Sequence, residues 1–473
     1  MLRFVLGSTS AKDPAFIRQA LFELGVRLNV QFSIHVDPVT IPEDGVIVLY
    51  GSVATEKVRG RNLLQLREAG SAAPCAPRRV GDLWCFGQEA EAGLDVVAGT
   101  ATLLSFQHET GCVGLARDGL DRIPAQAHPL REHFQEPLVE NNARYLRQIL
   151  EGRFGDLPIA STPWEGTRGA LVLTHDVDGP QLHAPFPLLR SLAKGLLGQR
   201  REMESFQLGA LTLLCRRRDP YWNFEDWAEL ETLMGTRSTF YVYPGPGPAA
   251  PRHFHDPHYD SHRSPFPETL AALSGRGWEI AVHHGIKAHG AAAYAESRDV
   301  LTRLGGATVS GSRSHYWSGV WKEPFEAWKA MDQAGFDCDA SLTPQSLGYR
   351  GGTMLPTMPS MTWRPGPDHG FVVLPTALMD AYAHPAFSPL DPERIHPAVD
   401  RLIANARRGG LLVTDWHVRT FLNAGAHEGM LDVFMEKIWG LASDPDLVLM
   451  TAREAAARWR AHCARCWLGG EDR

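Results

Sequence analysis

The sequence lacks an apolar run long enough to cross a membrane, because no stretch of about 18 apolar residues occurs in its 473 positions. The opening run, Met1 to Ser8, is too short for a signal peptide and has no typical cleavage pattern. An excess of positive charge is also absent. The formal net charge is −7, which argues against general affinity for nucleic acid. These absences predict a cytoplasmic protein.

Cysteine is scarce as well. The seven cysteines are scattered and odd in number, which is typical of a reducing compartment. Cys463 and Cys466 form a CxxC motif, but no second pair accompanies it. We therefore interpret this motif as incidental, not as a zinc or redox site.

What remains is an ordinary globular composition, 44% hydrophobic and 21% charged, in a chain long enough for two or three domains. Residues 1–155 resemble a separate α/β unit, with a helix stopped by Gly25 and an alternating strand over residues 26–36. This unit lacks a glycine-rich phosphate loop and an acid–histidine cluster. We therefore predict a structural or substrate-positioning domain that binds no cofactor.

A Gly-, Pro- and Thr-rich loop leads to a second domain, predicted over residues 165–465. It begins with a short apolar run, 170–173, that predicts a strand buried on both faces. His175, Asp176 and Asp178 follow, and then a Gly-Pro turn. Two carboxylates two residues apart share one side of a strand, so one could hold a metal while the other handles a proton. The alternative is an Asp-rich turn that caps the next helix.

Beyond this strand, apolar strand patterns alternate with helical ones. The further strands are predicted at 238–243, 278–282, 308–310, 371–374, 411–414 and 447–450. Such alternation implies parallel strands with right-handed crossovers, hence a barrel or an open doubly wound sheet.

Polar residues recur where these strands end. They are His283, His284 and His289, then the segment 311–317, then 335–341, and finally Asp415, Trp416 and His417. Any one of them could be a buried histidine or a turn acid. Because the carboxyl ends of parallel strands open onto one crevice, all of them are expected to meet Asp176 and Asp178 in a catalytic mouth.

These residues, in this order, resemble the five motifs of the polysaccharide deacetylase superfamily (NodB homology, carbohydrate esterase family 4). The matching segments are 174–179, with one residue inserted, then 279–283, 313–317, 335–341 and 416–417. The resemblance covers about residues 170–455. Segments 94–97, 103–106 and 118–124 also resemble the N-terminal domain of an intracellular subgroup.

The resemblance implies a distorted (β/α) barrel with fewer than eight regular units, preceded by a smaller α/β domain. The implied reaction is hydrolysis of an N-acetyl group on a sugar of a cell-surface glycan or its precursor. It implies a divalent metal, with zinc the first choice, held by Asp178 and His283. Asp176 would then be the base, kept ionised by Arg313.

The same resemblance assigns the amine-protonating role to His417, with Asp339 orienting its imidazole. His175, His315, Tyr316 and Trp317 would lie on the substrate side, and a backbone N–H near His315 or Tyr316 would help to hold the oxyanion.

One departure from the motifs bears on the metal. The family's second motif usually has two histidines four residues apart, but the position four after His283 is Lys287. We expect His289 to be the third ligand, with His284 as the alternative. If neither binds, the chain would be a catalytically inactive carbohydrate-binding or assembly protein on the same barrel.

Two further segments have open interpretations. The basic insertion between Asp178 and Asn223 is either a solvated helical excursion or a peripheral contact with an anionic membrane surface. The loop 252–263 contains His253, His255, His258 and His262, and we expect it to be a flexible substrate-side or solvent loop.

Overall fold

A computed structural model gives the fold. It describes residues 1–9, 14–36, 45–53, 62–66, 68, 75–90, 93–110, 117–305, 308–359 and 370–469. Across these residues, no helix is both long and apolar enough to span a bilayer.

The N-terminal region contains two small sheets. Its elements are β1 (Leu2–Leu6), α1 (Pro14–Arg27), β2 (Phe32–His35), β3 (Val46–Tyr50), β4 (Asn62–Leu66), β5 (Ala76–Val80), β6 (Leu83–Ala90), β7 (Gly93–Asp95), α2 (Val96–Leu104), α3 (Gln107–Thr110) and α4 (Leu138–Phe154). The first sheet is parallel, in the order β2–β1–β3–β4, and the second is an antiparallel β5–β6–β7 meander. The predicted smaller α/β unit before the barrel is confirmed.

Its predicted local details are partly wrong. Gly25 does not stop α1, which continues to Arg27, and the strand predicted over 26–36 is confined to Phe32–His35. A Cβ at Gly25 would lie 2.7 Å from the ring of Phe32. The glycine thus allows close contact between helix and strand. This packing offsets the lower helix propensity of glycine within α1.

The second region is a closed parallel barrel with helices around it. Its elements are β8 (Gly169–Val177), α5 (Pro185–Leu196), α6 (Arg200–Leu214), α7 (Phe224–Leu233), β9 (Thr239–Val242), α8 (Phe266–Gly275), β10 (Glu279–His284), α9 (Gly290–Gly305), β11 (Gly311–Ser314), α10 (Ser318–Lys322), α11 (Pro324–Gln333), β12 (Cys338–Leu342), β13 (Val372–Met379), α12 (Pro392–Arg407), β14 (Leu411–Asp415), α13 (Met430–Lys437), β15 (Leu447–Met450) and α14 (Ala452–Cys466).

Strands β8 to β14 pair in sequence order, and β14 returns to pair with β8, so seven parallel strands close the barrel. On its other edge, β8 pairs with β15 along its first half and with β9 along its second half. The predicted distorted barrel with fewer than eight regular units is confirmed. The strand predicted at 308–310 is displaced, because the pairing strand β11 covers Gly311–Ser314.

The two regions share buried ionic contacts. Arg27 of α1 bonds to Glu23 and Glu140, and Glu140 in turn accepts hydrogen bonds from the backbone N–H groups of Met354 and Leu355. A second buried pair joins Glu109 to Arg350, with N–O distances of 2.8 and 3.0 Å. Separating the regions would leave these charges without partners, so the N-terminal region is part of one packed core with the barrel.

Candidate metal and catalytic site

Asp178 lies at the centre of the barrel mouth, one residue beyond the end of β8. Its Oδ1 is 3.0 Å from His283 Nε2, and its Oδ2 is 3.1 Å from His417 Nε2 and 3.5 Å from His315 Nε2. Burial opposes its ionisation, but the neighbouring imidazoles, His315 first, hold the pKa of Asp178 well below its ordinary value. Three strand ends therefore deliver nitrogen donors to one carboxylate.

His283 and His315 each direct Nε2 at this carboxylate, because the Nδ1 atom of each ring has a partner of its own. His283 Nδ1 donates to the carbonyl oxygen of Arg313 at 3.3 Å, and His315 Nδ1 lies 3.3 Å from Asp256 Oδ1. Such outer partners fix the tautomer and ring direction of metal-binding histidines. Asp256 is itself buried and fixed by the backbone N–H groups of His253 and Ile286.

The donor set fits a divalent metal. Ligand atoms of Asp178, His283 and His315 all lie within 4.8 Å of one another. Asp178 Oδ1 and His283 Nε2 are buried and have no hydrogen-bond partner in the described part of the chain. Buried polar atoms without partners are costly, and a cation between them would satisfy both. One carboxylate and two imidazoles leave a coordination position open, as in catalytic zinc sites.

Two other clusters of potential ligands contain carboxylates that are already paired with an arginine guanidinium. The first cluster consists of Asp176, Asp415 and His417, and Arg313 is bonded to both aspartates. The second consists of His108, Glu109 and His128, and Arg350 is bonded to Glu109. In both clusters a guanidinium lies within 3.1 Å of the carboxylates, whereas the guanidinium of Arg419 is 4.0 Å from Asp178. We therefore place the candidate metal site at Asp178.

Asp176 belongs to a separate arrangement around Arg313. Arg313 is fully buried, donates to Asp176 Oδ1 at 2.8 Å and stacks on Tyr241 at 4.1 Å. Burial raises the pKa of Asp176, but the charge of Arg313 outweighs it and the net direction is downward. For Asp415, 3.1 Å from Arg313, burial and the charge of Asp176 raise the pKa well above its ordinary value. The surroundings thus favour the ionised form of Asp176 and the neutral form of Asp415.

His417 lies on the opposite side of Asp178 and is oriented by Asp380. His417 Nδ1 lies 3.0 Å from Asp380 Oδ1, and the backbone N–H of His417 donates to Asp380 Oδ2 at 2.9 Å. Burial opposes protonation, yet the charge of Asp380 dominates and raises the pKa of His417 well above its ordinary value. The surroundings therefore favour the protonated imidazole, and its Nε2 lies 3.1 Å from Asp178 Oδ2.

A cavity of about 570 Å³ opens above these groups, within the size range of small-molecule sites. Its floor includes Asp176, Asp178 and His417, and its walls include Tyr316 and Trp317. The backbone at Tyr316 and Trp317 has φ values of 53° and 60°, which non-glycine residues rarely adopt. Such strain is concentrated at functional sites. His315, Tyr316 and Trp317 are thus at the mouth, and their predicted substrate contact stays a prediction.

The N-terminal region contributes to the same cavity. Arg122, Pro124, Ala125 and Gln126 line one wall. Arg122 is held there by Asp118 at 2.7 Å, and its guanidinium lies over the Tyr316 ring. The segment 118–122 therefore contributes Arg122 to the cavity wall.

His175 is not at the mouth, and its predicted substrate role is wrong. Side chains alternate along a strand, so His175 faces away from Asp176 and Asp178 and towards the surrounding helices. Its Nε2 lies 2.7 Å from Glu231 of α7, its Nδ1 donates to the Trp416 carbonyl, and only 1% of the residue is exposed. It anchors α7 to the barrel.

Neither predicted choice for the third metal ligand is correct. His289 is exposed and lines a separate depression beside Lys322 and Glu323. His284 is buried on the outer face of β10, where its ring packs on Tyr294 and Phe336. Strand alternation explains the second error, because the neighbour of an inward histidine faces outward. His315 lies where the third ligand was expected.

Asp339 does not orient His417, so that prediction is wrong as well. Its carboxylate accepts hydrogen bonds from the Ser341 hydroxyl at 2.7 Å and from Trp328 Nε1 of α11 at 3.1 Å. Asp339 therefore faces the helix layer outside the barrel. Asp380 has the predicted role instead.

Two side chains of this arrangement were missed by the sequence analysis, and the partner of a third was not foreseen. Asp380 follows β13 directly, but the strand was predicted to end near Leu374, so the strand-end rule was applied five residues too early. Asp256 lies inside the histidine-rich loop, where only the four histidines were considered. Asp415 was among the polar residues expected at the mouth, but its contact with Arg313 was not predicted.

Comparison with known proteins gives fold-level likenesses. No protein-family model matches the chain, and no curated protein matches it. The crystal structure of a protein named as a polysaccharide deacetylase from Mycobacterium smegmatis is similar, with 19% identity, a TM-score of 0.41, and coverage of 64% of this chain and 94% of that one. Another, from Bordetella bronchiseptica and named for O-antigen biosynthesis, has 14% identity, a TM-score of 0.27, and coverage of 62% and 85%. Likenesses of this size establish neither family nor activity.

Proposed function

We propose that the protein is a metal-dependent hydrolase that removes the N-acetyl group from a sugar. The observation that supports this most is the arrangement at the barrel mouth. The candidate metal-ligand set of Asp178, His283 and His315 has two further groups beside it: the Asp176 carboxylate, paired with Arg313, and the His417 imidazole, paired with Asp380. Amide hydrolysis needs these three elements: an electrophilic centre, a base for water and an acid for the departing amine.

The metal is proposed to be zinc, because one carboxylate and two imidazoles are ligands that zinc favours. Bound there, zinc would polarise the amide carbonyl and lower the pKa of a water molecule. The outer hydrogen bonds from His283 to the Arg313 carbonyl and between His315 and Asp256 would keep both rings in ligand orientation.

The chain's own residues then divide the proton transfers. Asp176, held ionised by Arg313, would accept the proton of the attacking water. His417, held charged by Asp380, would donate from Nε2 to the amine nitrogen as the C–N bond breaks. Backbone N–H groups near His315 and Tyr316 would face the developing oxyanion.

The substrate class follows from the resemblance of the sequence motifs, with the cavity as support. Its volume accommodates one or two sugar rings, and the aromatic rings of Tyr316 and Trp317 offer apolar faces beside polar groups. We propose a cell-surface glycan or its precursor as the source of the sugar. We propose further that residues 1–155 position the substrate through the wall that contains Arg122 and Gln126. The cytoplasmic location stays a prediction.

Metal analysis combined with an acetate-release assay tests this function. The purified protein, after reconstitution with zinc, nickel or cobalt, should bind about one equivalent of metal. It should release acetate from at least one member of a panel of N-acetylated nucleotide sugars and oligosaccharides, followed by mass spectrometry. The competing proposal, an inactive carbohydrate-binding or assembly protein, was motivated by Lys287, and we propose that His315 serves as the ligand in place of the histidine absent at that position. Less than about a tenth of an equivalent of every metal would favour that alternative.

A further inference from the structure

The helices α5 and α6 form a hairpin between β8 and α7, additional to the single helix that a β/α unit needs. The two helices pack closely on each other. Glu202 of α6 accepts hydrogen bonds from Ser191 and Lys194 of α5, at 2.9 and 2.7 Å, and a Cβ at Gly195 would lie 2.8 Å from Met203. We call residues 185–218 the hairpin segment.

The hairpin segment concentrates exposed apolar side chains. Of the sixteen exposed large hydrophobic residues in the described part of the chain, seven are in this segment: Phe186, Leu189, Leu196, Leu197, Leu211, Leu213 and Leu214. Leu197 and Leu214 are 83% and 82% exposed. Phe254, 71% exposed, extends the patch because its ring lies 6.3 Å from that of Phe186. A concentration of exposed apolar side chains in one segment makes that segment a candidate interaction site.

The stripe on α5 has helical periodicity. Phe186, Leu189, Ala193 and Leu196 are spaced by three or four residues, so they share one face of the helix. Ser191, the buried residue of α5, is on the side that bonds to Glu202. The apolar stripe is thus on an outer face of the hairpin and is not covered by α6.

The charge of the segment identifies its partner. It contains seven basic and two acidic residues, a net charge of +5, within a chain whose net charge is −7. Both acids are paired inside the segment, Glu202 with Lys194 and Glu204 with Arg200. Arg216 and Arg217 are exposed directly after the leucines of α6. In a dimer formed through this segment, the net charge of +5 on one copy would repel the same charge on the other. Leucines bordered by Arg and Lys are instead typical of helices that lie in an anionic lipid interface.

We propose that the hairpin segment docks the protein on the surface of an anionic phospholipid bilayer, with its leucines inserted and its basic residues at the headgroups. The hairpin also forms part of the catalytic cavity, since Arg190, Lys194 and Glu202 line it. Docking therefore places the cavity mouth beside the membrane. On the proposed function, the substrate would then be a sugar carried on a lipid.

Vesicle flotation tests the docking independently of activity and metal. The full chain is mixed with vesicles of phosphatidylcholine alone or with about 30% phosphatidylglycerol, at low and high salt. We expect at least about tenfold more protein on the anionic vesicles, falling with salt. The double substitution Leu196→Glu, Leu197→Glu at the exposed tip should reduce this binding about tenfold or more. Leu233→Glu is the matched control, because Leu233 is 77% exposed on α7, outside the segment, and its substitution should leave binding unchanged.

All variants are compared by circular dichroism and thermal unfolding so that loss of folding is recognised. Equal floating fractions on both vesicle types, or equal losses from the tip variant and from Leu233→Glu, would overturn the proposal. A dimer in sedimentation that dissociates on the tip substitutions, together with no binding to vesicles, would also overturn the proposal. The patch would then be an interface between two copies of the chain. Vesicle binding with no acetate release would leave docking established and refute only the proposed reaction.

Discussion

Asp176 and Asp178 are two residues apart and face the same barrel interior, yet their surroundings differ in one respect. Asp176 is paired with a buried guanidinium, that of Arg313, at 2.8 Å. Asp178 is surrounded by imidazoles, and its Oδ1 has no hydrogen bond from the described residues. The difference teaches that a guanidinium pairs directly with Asp176, whereas Asp178 meets imidazoles within 3.5 Å and keeps Oδ1 without a hydrogen bond within the described part of the chain, in the position where a cation could bind.

The largest effect should come from Asp176→Asn. It keeps the shape of the side chain and removes the base, so turnover should fall about a hundred- to ten-thousand-fold. Metal content should stay at the wild-type level, because Asp176 is paired with Arg313 and is not one of the proposed metal ligands. Acetate release and metal analysis on the same preparation check both statements. Loss of metal in a well-folded Asp176→Asn variant would mean that the two aspartates share one cation site.

Arg313→Met should have the next largest effect, on stability. It leaves the buried carboxylate of Asp176 without its counter-charge, and removal of one partner of a buried ion pair typically costs about 3–5 kcal/mol of unfolding free energy. Urea denaturation measures this loss. Adding Asp176→Asn to Arg313→Met should recover part of it, because one uncompensated charge is then removed. If Asp176→Asn lowers the unfolding free energy of the Arg313→Met variant by as much as it lowers that of the wild type, the two substitutions are additive. Arg313 and Asp176 would then not be coupled, which would contradict the pairing.

A smaller effect, on the pH dependence of stability, is expected at Glu109, a buried carboxylate that is paired with the guanidinium of Arg350. Burial opposes its ionisation, but Arg350 and His128 outweigh burial and hold the pKa of Glu109 below its ordinary 4.5. A carboxylate with a lowered folded-state pKa contributes stability above its unfolded pKa and loses it as pH falls. The wild type should therefore lose unfolding free energy from about pH 5 downward more steeply than Glu109→Gln. Identical slopes for both proteins would contradict the assignment.

The sequence was sufficient for features that depend on strand ends and their order. The apolar run before Asp176 predicted β8, and the recurrence of polar residues after later strands predicted their convergence. Arg313 was expected to pair with Asp176 and does so. These predictions succeed because parallel strands in a barrel must present the same ends on one side.

What failed depends on details that a strand-end rule does not contain. His175, His284 and Asp339 were assigned to the mouth, but side-chain alternation turns each of them towards the helices. Asp380 was missed because the length of β13 is not encoded in its apolar run alone, which is interrupted by Pro375 and Thr376. His315 was assigned to substrate because its role as a ligand requires Asp256, fifty-nine residues earlier, behind its ring.

The most direct test of the comparison is metal content for Asp178→Asn beside His289→Ala. Both positions were candidate ligands from the sequence, but only Asp178 lies in the donor set with His283 and His315. After reconstitution with zinc and exhaustive dialysis, the wild type and His289→Ala should each retain about one equivalent, and Asp178→Asn should retain almost none. A folded Asp178→Asn protein with a full equivalent of zinc, or a His289→Ala protein without it, would contradict the assignment of the metal site to Asp178.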